Sequence, residues 1–359
     1  DSATCSSSEF NTGGAITVNG YSITIPENLI FQLPAAWIPF KEICSGGFTG
    51  NEVDVFGNIV SGKAIAGIVS MSQLLLQGGT GYIDSIDGAN GKIHIKGGPT
   101  LRINDPNGVY GKAYTEKPAF TADDENPSIT AFSGFPMCIP RSASDELCPL
   151  SNRPSGQRTF NAPDPLVMAP FIVGDYLEFS GIMIGGEVVC YAIVAANVQI
   201  RSSSPVYIRI EDALIGVYDG DPNSEFGDTR FIGYLSDSSA SVTASAIDVD
   251  HCTGEETDRI VGSATIKAGD ARNKFTWRAD STTLSKYTRE YRIKASTGTK
   301  ATKNGILAGQ YVQPVTEWIF PELTTPGLNP PALDFTGMTN VVNGIVQDEH
   351  QFGQLKPWP

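Results

Sequence analysis

Between Asp219 and Asp228 the chain reads Asp219-Gly220-Asp221-Pro222-Asn223-Ser224-Glu225-Phe226-Gly227-Asp228, which sets oxygen-bearing side chains at nearly alternate positions. Hard oxygen donors in such density are what Ca²⁺ coordinates, so Asp219, Asp221, Asn223, Glu225 and Asp228 are the candidate metal ligands. The stretch lacks the fixed length and closing Glu of an EF-hand loop, and an ordinary hydrophilic turn is the simpler use of the same residues. A second acidic segment, Asp248, Asp250, Glu255, Glu256 and Asp258, surrounds Cys252 and would join the first if the intervening strands pair. Glu211 with Asp212, and Glu290 with Glu317, offer the two carboxyl groups that glycoside hydrolysis needs, one as acid and one as base or nucleophile. Glu290 also has Arg289 and Arg292 as neighbours, and cross-strand ion pairing would employ its charge structurally.

Rings are placed better for binding than for chemistry. Tyr82, Tyr110, Tyr114, Tyr207, Tyr287, Tyr291, Trp277 and Trp318 fall in or beside extended segments, where rings on one sheet face could stack on sugars or fill a core. Trp277 beside Arg278 and Trp318 beside Glu317 are the foremost stacking candidates, each an apolar ring next to a charge. The loop Asn104-Asp105-Pro106-Asn107-Gly108-Val109-Tyr110-Gly111 is good turn chemistry and could also project Asp105, Asn107 and Tyr110 toward a ligand. Several chemistries are excluded: there is no Gly-x-Ser-x-Gly elbow, no phosphate-binding loop, no His-Glu-x-x-His and no dinucleotide fingerprint. His94, His251 and His350 lie in dissimilar segments and read as surface residues.

Six cysteines, at positions 5, 44, 138, 148, 190 and 252, form no Cys-x-x-Cys pair. An even, scattered set of this kind argues for disulfides in an oxidising compartment, and we expect Cys5–Cys44, Cys138–Cys148 and Cys190–Cys252, since short loops close most readily. The chain opens at Asp1 instead of Met, which fits removal of an export signal, so a secreted, extracellular location is expected. A formal charge of −14 opposes nucleic acid and anionic membrane surfaces as partners. No apolar run is long enough to span a bilayer, because Asp175 and Glu178 interrupt the richest one. Hydrophobic residues at 40% and charged ones at 18% place the chain among folded globular proteins.

The elements that must position these residues follow period two. Ala15 to Val18 and Tyr21 to Ile25 flank Asn19-Gly20, the strongest hairpin signal in the chain. A second hairpin is predicted over Gly81 to Lys96 about the turn Asp87 to Gly91, which leaves His94 on a polar face. Further strands alternate from Glu187 to Phe320, with Gly, Pro, Asn and Ser clusters between them. The predicted fold is all-β, an antiparallel sandwich or barrel architecture in two disulfide-stabilised lobes. Its expected parts are a barrel-like N-terminal lobe over 1–120, a connecting loop over 121–165 pinned by Cys138 and Cys148, a C-terminal lobe over 166–320, and an extended Pro-rich tail over 321–359.

The segments Gly174-Asp175-Tyr176, Tyr207 to Gly216, Asp228 to Gly233, Tyr287 to Tyr291 and Gly309-Gln310-Tyr311-Val312 resemble a group of secreted β-rich proteins of filamentous fungi, a resemblance that implies secretion but no activity, cofactor or catalytic residue. The strand and glycine rhythm of the first half is similar to an oligosaccharide-binding type barrel. Together these features lead us to expect an extracellular or cell-surface binding or structural protein with a cell-wall polysaccharide as ligand. It would need no cofactor, with calcium as an optional ion. The competing expectation is a carboxylate-dependent glycoside hydrolase or polysaccharide lyase, with Ca²⁺ holding the acidic turn.

Overall fold

The computed structural model describes residues 1–71, 77–216, 228–280, 288–315, 317–319 and 325–359. Strands hold 47% of the chain and helices 5%, so the fold is all-β as its alternation predicts. The N-terminal sheet begins with Ser2–Cys5, Gly14–Val18 and Tyr21–Ile25 in antiparallel register. Asn19 and Gly20 turn the hairpin with φ of 49° and 82°, the left-handed pair that a two-residue turn requires. A longer hairpin, Val53–Val60 with Lys63–Met71, and a short one, Ile30–Leu33 with Ala36–Pro39, complete this sheet. A disulfide from Cys5 to Cys44, with Cα atoms 5.7 Å apart, fastens the first strand to the helix Phe40–Ser45.

Five strands then close a barrel. Gln77–Asp87 pairs with Lys92–Ile95, and Lys92–Ile95 with Thr100–Ile103. On its other edge Gln77–Asp87 pairs with Tyr176–Ile184, which turns into Glu187–Ala195. Parallel pairing of Leu101 with Val188 seals the cylinder. The result is a Greek-key barrel of the oligosaccharide-binding type in connectivity, an architecture that by itself carries no function. Its interior is Ile83, Ile93, Leu101, Leu177, Phe179 and Cys190 with their neighbours. Inward-facing Gly79 makes room for the Phe179 ring, since a Cβ there would sit 2.6 Å from it.

The chain between the third and fourth barrel strands is not the connector expected over 121–165. Ile129–Ala131 adds to the barrel sheet in parallel with Glu187–Ala195, and Phe135, Met137 and Ile139 are buried in the barrel's core. Apolar residues hidden at alternate and adjacent positions by Pro, Gly and Ser made this stretch look like a linker. Cys138 and Cys148 are bonded, with Cα atoms 6.0 Å apart. Arg153 and Asp175 form a wholly buried, two-pronged ion pair, with Nη2 to Oδ1 at 2.6 Å and Nη1 to Oδ2 at 3.0 Å, that ties the stretch to the start of the fourth barrel strand.

Beyond Val206 two four-stranded sheets pack face to face. One orders Lys274–Asp280, Asp228–Leu235, Ile208–Gly216 and Glu317–Ile319; the other orders Glu256–Thr265, Ser241–Val249, Glu290–Ala295 and Gln310–Pro314. Phe231 joins them, stacked on Trp277 and edge-on to Tyr291. This sandwich shares one hydrophobic core with the N-terminal sheet, whereas the barrel has its own. Sheet membership therefore divides the chain near 71 and 206, correcting the expected lobes 1–120 and 166–320. The tail also departs from expectation. Its Pro-rich part around Pro330 is exposed, but Phe335, Met338, Val341 and Leu355 turn back into the first core.

The expected Cys190–Cys252 bond does not form. Cys190 faces the barrel interior, where burial pushes its thiol far above the usual range, while Cys252 is exposed on a sandwich turn capped by Asp250. Proximity in sequence favoured the pair, but Cys190 lies in the barrel core and Cys252 on the surface of the sandwich.

Candidate functional site

Where the N-terminal sheet, the barrel and the sandwich meet, they leave a cleft of about 740 Å³. The turn Leu33 to Trp37, the loop Thr121 to Asn126, Ser180 and Tyr191 of the barrel wall, and Glu211, Glu290 and Tyr311 of the sandwich line it. Among the described residues its charged lining is Asp123, Asp124, Glu125, Glu211, Glu256 and Glu290 against Arg292.

Each wall is fixed by bonds that cross between sheets. The two-residue turn Pro34-Ala35 delivers Trp37, whose Nε1–H donates to Glu290 Oε1 at 3.0 Å. Arg289 lies over the Trp37 ring at 4.2 Å and donates to Glu290 Oε2 at 3.3 Å. Gln32 donates to the Val315 carbonyl at 2.6 Å, which joins hairpin to sandwich. On the opposite side Glu211 accepts from the Tyr234 hydroxyl at 2.8 Å. Arg209 sits 3.7 Å from Glu211, packed against the paired rings of Phe132 and Tyr234 at 4.7 and 4.5 Å. Arg292 is engaged by Glu256 and Asp258, Glu290 by Arg289 and Glu211 by Arg209, which leaves Asp123, Asp124 and Glu125 to set the cleft's negative field.

Asp123 folds its loop around itself. Its Oδ1 accepts from the Glu125 and Asn126 backbone N–H groups at 2.9 and 2.8 Å, and Oδ2 from Asn126 Nδ2 at 3.2 Å. Burial raises this carboxyl more than those donors lower it, to about 6. Asn126 Oδ1 in turn accepts from the Val312 N–H at 2.6 Å, stitching the loop to the sandwich. Ser128 donates to the Tyr191 carbonyl at 2.6 Å and stitches it to the barrel. Burial likewise lifts the Tyr191 hydroxyl to about 12, against its bond with Ser180.

The residues singled out from sequence lie elsewhere. Trp277 and Trp318, 6% and 8% exposed, are core residues of the sandwich and not stacking platforms. Gly262 packs so closely on Trp277 that a Cβ there would sit 2.1 Å from its Nε1. Tyr110 is fully buried and donates its hydroxyl to the Asp123 carbonyl at 2.5 Å. Asp105, 4% exposed, accepts from the Val109 and Tyr110 N–H groups and closes its own turn, and burial raises its carboxyl. Exposed Asn107 donates to Asp124 at 3.1 Å. Asp105 and Tyr110 thus buttress the cleft loop from behind instead of meeting a ligand.

Of the candidate calcium ligands, Asp219, Asp221, Asn223 and Glu225 lie outside the described residues, and only the backbone of Asp228 is described, at the start of its strand. The second acidic segment is occupied by arginines: Asp248 forks with Arg259, and Glu256 and Asp258 hold Arg292. Among the described residues no three His, Cys, Asp or Glu side chains gather as a metal site. Glu211 and Glu290, read from sequence with other partners, are brought to one cleft; Asp212 turns instead to Arg230 at 3.2 Å. Trp37, Asp123, Tyr191 and Tyr311 are not among the residues singled out from sequence; only Asp123 has a local signal, the acidic run Asp123-Asp124-Glu125 set in an otherwise Pro-rich stretch.

Comparison with protein-family models, with curated proteins and with solved structures finds no match to this chain.

Proposed function

We propose that this is an extracellular glycan-binding protein whose ligand, a neutral cell-wall polysaccharide, lies in the junction cleft. The observation that carries the reading is the lining itself: the half-buried rings of Trp37 and Tyr311 beside six carboxylate side chains and a single guanidinium. Sugar hydroxyls donate to carboxylates, and the apolar faces of pyranose rings pack on aromatic rings. The same field repels phosphate, sulfate and uronate groups, which limits the ligand to uncharged sugars. Two disulfides support export to an oxidising compartment, and among the described residues no helix is long and apolar enough to cross a membrane.

A second reading, a carboxylate-dependent glycoside hydrolase or lyase, draws on Asp123. With a pKa of about 6 it keeps a proton at mildly acidic pH, as a general acid must, and Glu211 and Glu290 line the same cleft. One assay separates the two. Purified protein is incubated with insoluble cellulose, β-1,3-glucan, xylan and chitin, with and without EDTA, and both retained protein and released reducing ends are measured. Retention without release, weakened by Trp37→Ala, is expected. Release abolished by Asp123→Asn would move the assignment to the enzyme, and its loss in EDTA would bring in the Asp219 to Asp228 turn. Absence of both retention and release would sink the glycan reading.

A further inference from the structure

The barrel wall of the cleft belongs to a longer strand face. In the fourth barrel strand Leu177 and Phe179 point into the core, 0% and 7% exposed, so the period of two puts Tyr176, Glu178 and Ser180 together on the outer wall. Ser180 lines the cleft. The antiparallel register sets Gly78 opposite Ser180, Thr80 opposite Glu178, and Tyr82 opposite Tyr176. Three outward rungs therefore lead away from the cleft. From Ser180 to Tyr176, four residues at about 3.4 Å each, they cover about 14 Å.

The chemistry changes along those rungs. At the cleft mouth Gly78 and Ser180 keep the wall low. Thr80 and Glu178, both exposed, offer a hydroxyl and a carboxylate. The far rung is aromatic: Tyr82 is 54% exposed, and its ring centroid lies 4.9 Å from that of Tyr176, with the planes 60° apart. Tyr291, Trp277 and Trp318 are buried in their strands, whereas Tyr82 shares surface exposure with Tyr21, which is 73% exposed on the N-terminal sheet. Glu178 also acts electrostatically on Arg209, the neighbour of cleft-lining Glu211, so wall and cleft share one field.

We infer that the ligand site continues along this wall, with Tyr82 and Tyr176 as an outer stacking point for the same neutral glycan chain. The inference rests on the glycan reading of the cleft and deepens it: the ligand is an extended oligosaccharide, not a terminal sugar. An extended peptide is disfavoured as occupant because both edges of these two strands are already paired inside the barrel, leaving no free ladder for an added strand.

The test is calorimetric titration with the disaccharides and hexasaccharides of the cello-, laminari-, xylo- and chito- series. For the series that binds, the hexasaccharide is expected to bind more tightly than the disaccharide. Tyr82→Ala and Tyr176→Ala are each expected to weaken the hexasaccharide by about two- to tenfold, the scale of one aromatic contact, and to leave the disaccharide unchanged. Tyr82→Phe should keep the wild-type value, and Trp37→Ala should weaken both lengths. Equal affinity for both lengths, or hexasaccharide binding indifferent to both tyrosine variants, overturns the extended site while the cleft reading stands. If no series binds, or binding ignores Trp37→Ala, the cleft reading falls and the extension with it.

Discussion

Two carboxyl groups with opposite surroundings fix how this protein should respond to acid. Asp145, its side chain 6% exposed, accepts from Arg141 Nε and Nη2 at 2.7 and 2.9 Å and from the Leu147 and Cys148 N–H groups. Burial alone would raise it, but these donors outweigh burial and hold it at about 2, below its ordinary 3.8. The unfolded chain then takes up this proton first, so the stability Asp145 contributes at neutral pH is lost as pH falls from about 4 toward 2. Asp123 has the reverse sign. With burial lifting it to about 6, the folded state binds the proton more tightly, and its contribution is full below pH 3.8 and lost as pH rises through 6. Urea unfolding across pH 2 to 7 checks both: Asp145→Asn is expected to flatten the acid limb, and Asp123→Asn to flatten the stretch between about 4 and 6. Neither role was legible in the sequence. A carboxylate's partners here are backbone N–H groups positioned by a turn, and an Asp gives the same letter whether it caps a turn, binds Arg or faces a ligand.

At the scale of elements, the tail offers the sharpest test. Asn58 exchanges two hydrogen bonds with the Leu333 backbone, at 2.8 and 2.7 Å, and Phe335 then packs on Gly67, where a Cβ would lie 2.6 Å from the ring. Phe335→Ala is expected to cost about 3–5 kcal/mol and to expose residues 325–359 to protease, whereas an undocked tail would leave the denaturation midpoint unmoved. Inside the barrel, Asp175→Ala strands the buried Arg153 guanidinium and should cost about 3–5 kcal/mol. Replacing both partners with Leu and Met is expected to cost less than the single change, measured by the same denaturation. The contrast between what was and was not readable follows from reach. Asn19-Gly20 and the turn Asp87 to Gly91 announce hairpins because every residue that decides them is local. Period two reports which face is buried but not which strand lies alongside. The parallel seal of Leu101 on Val188, the insertion of Ile129–Ala131 and the return of the tail therefore lay beyond it.

For the whole molecule, the consequential fact is that the chain leaves its first core near 71, builds the barrel, and re-enters that core near 206. The barrel thus follows the N-terminal sheet and precedes the sandwich that shares that sheet's core, and the cleft is the seam left where they meet. Its acidity was legible as an excess of 39 Asp and Glu over 25 Lys and Arg, but where that excess gathers is a property of the seam. Few side chains hold the seam as Asn126 does, with its Oδ1 on the Val312 N–H and its Nδ2 on Asp123, while neighbouring Ser128 grips the barrel. Asn126→Ala leaves the Val312 donor without its partner, a change of about 1–3 kcal/mol. Because both cores remain packed, that loss is expected at the seam. Hydrogen exchange should quicken in 121–128 and 310–314, and the barrel strands should keep their protection. Glycan retention should weaken along with it, since the loop that carries Asp123 and Asp124 loses its fixed distance from Glu211 and Tyr311. Exchange that quickens evenly through the barrel would instead mean that Asn126 supports the barrel core, and the cleft would then have to be held by the Trp37 hairpin and its bonds to Glu290 and Val315.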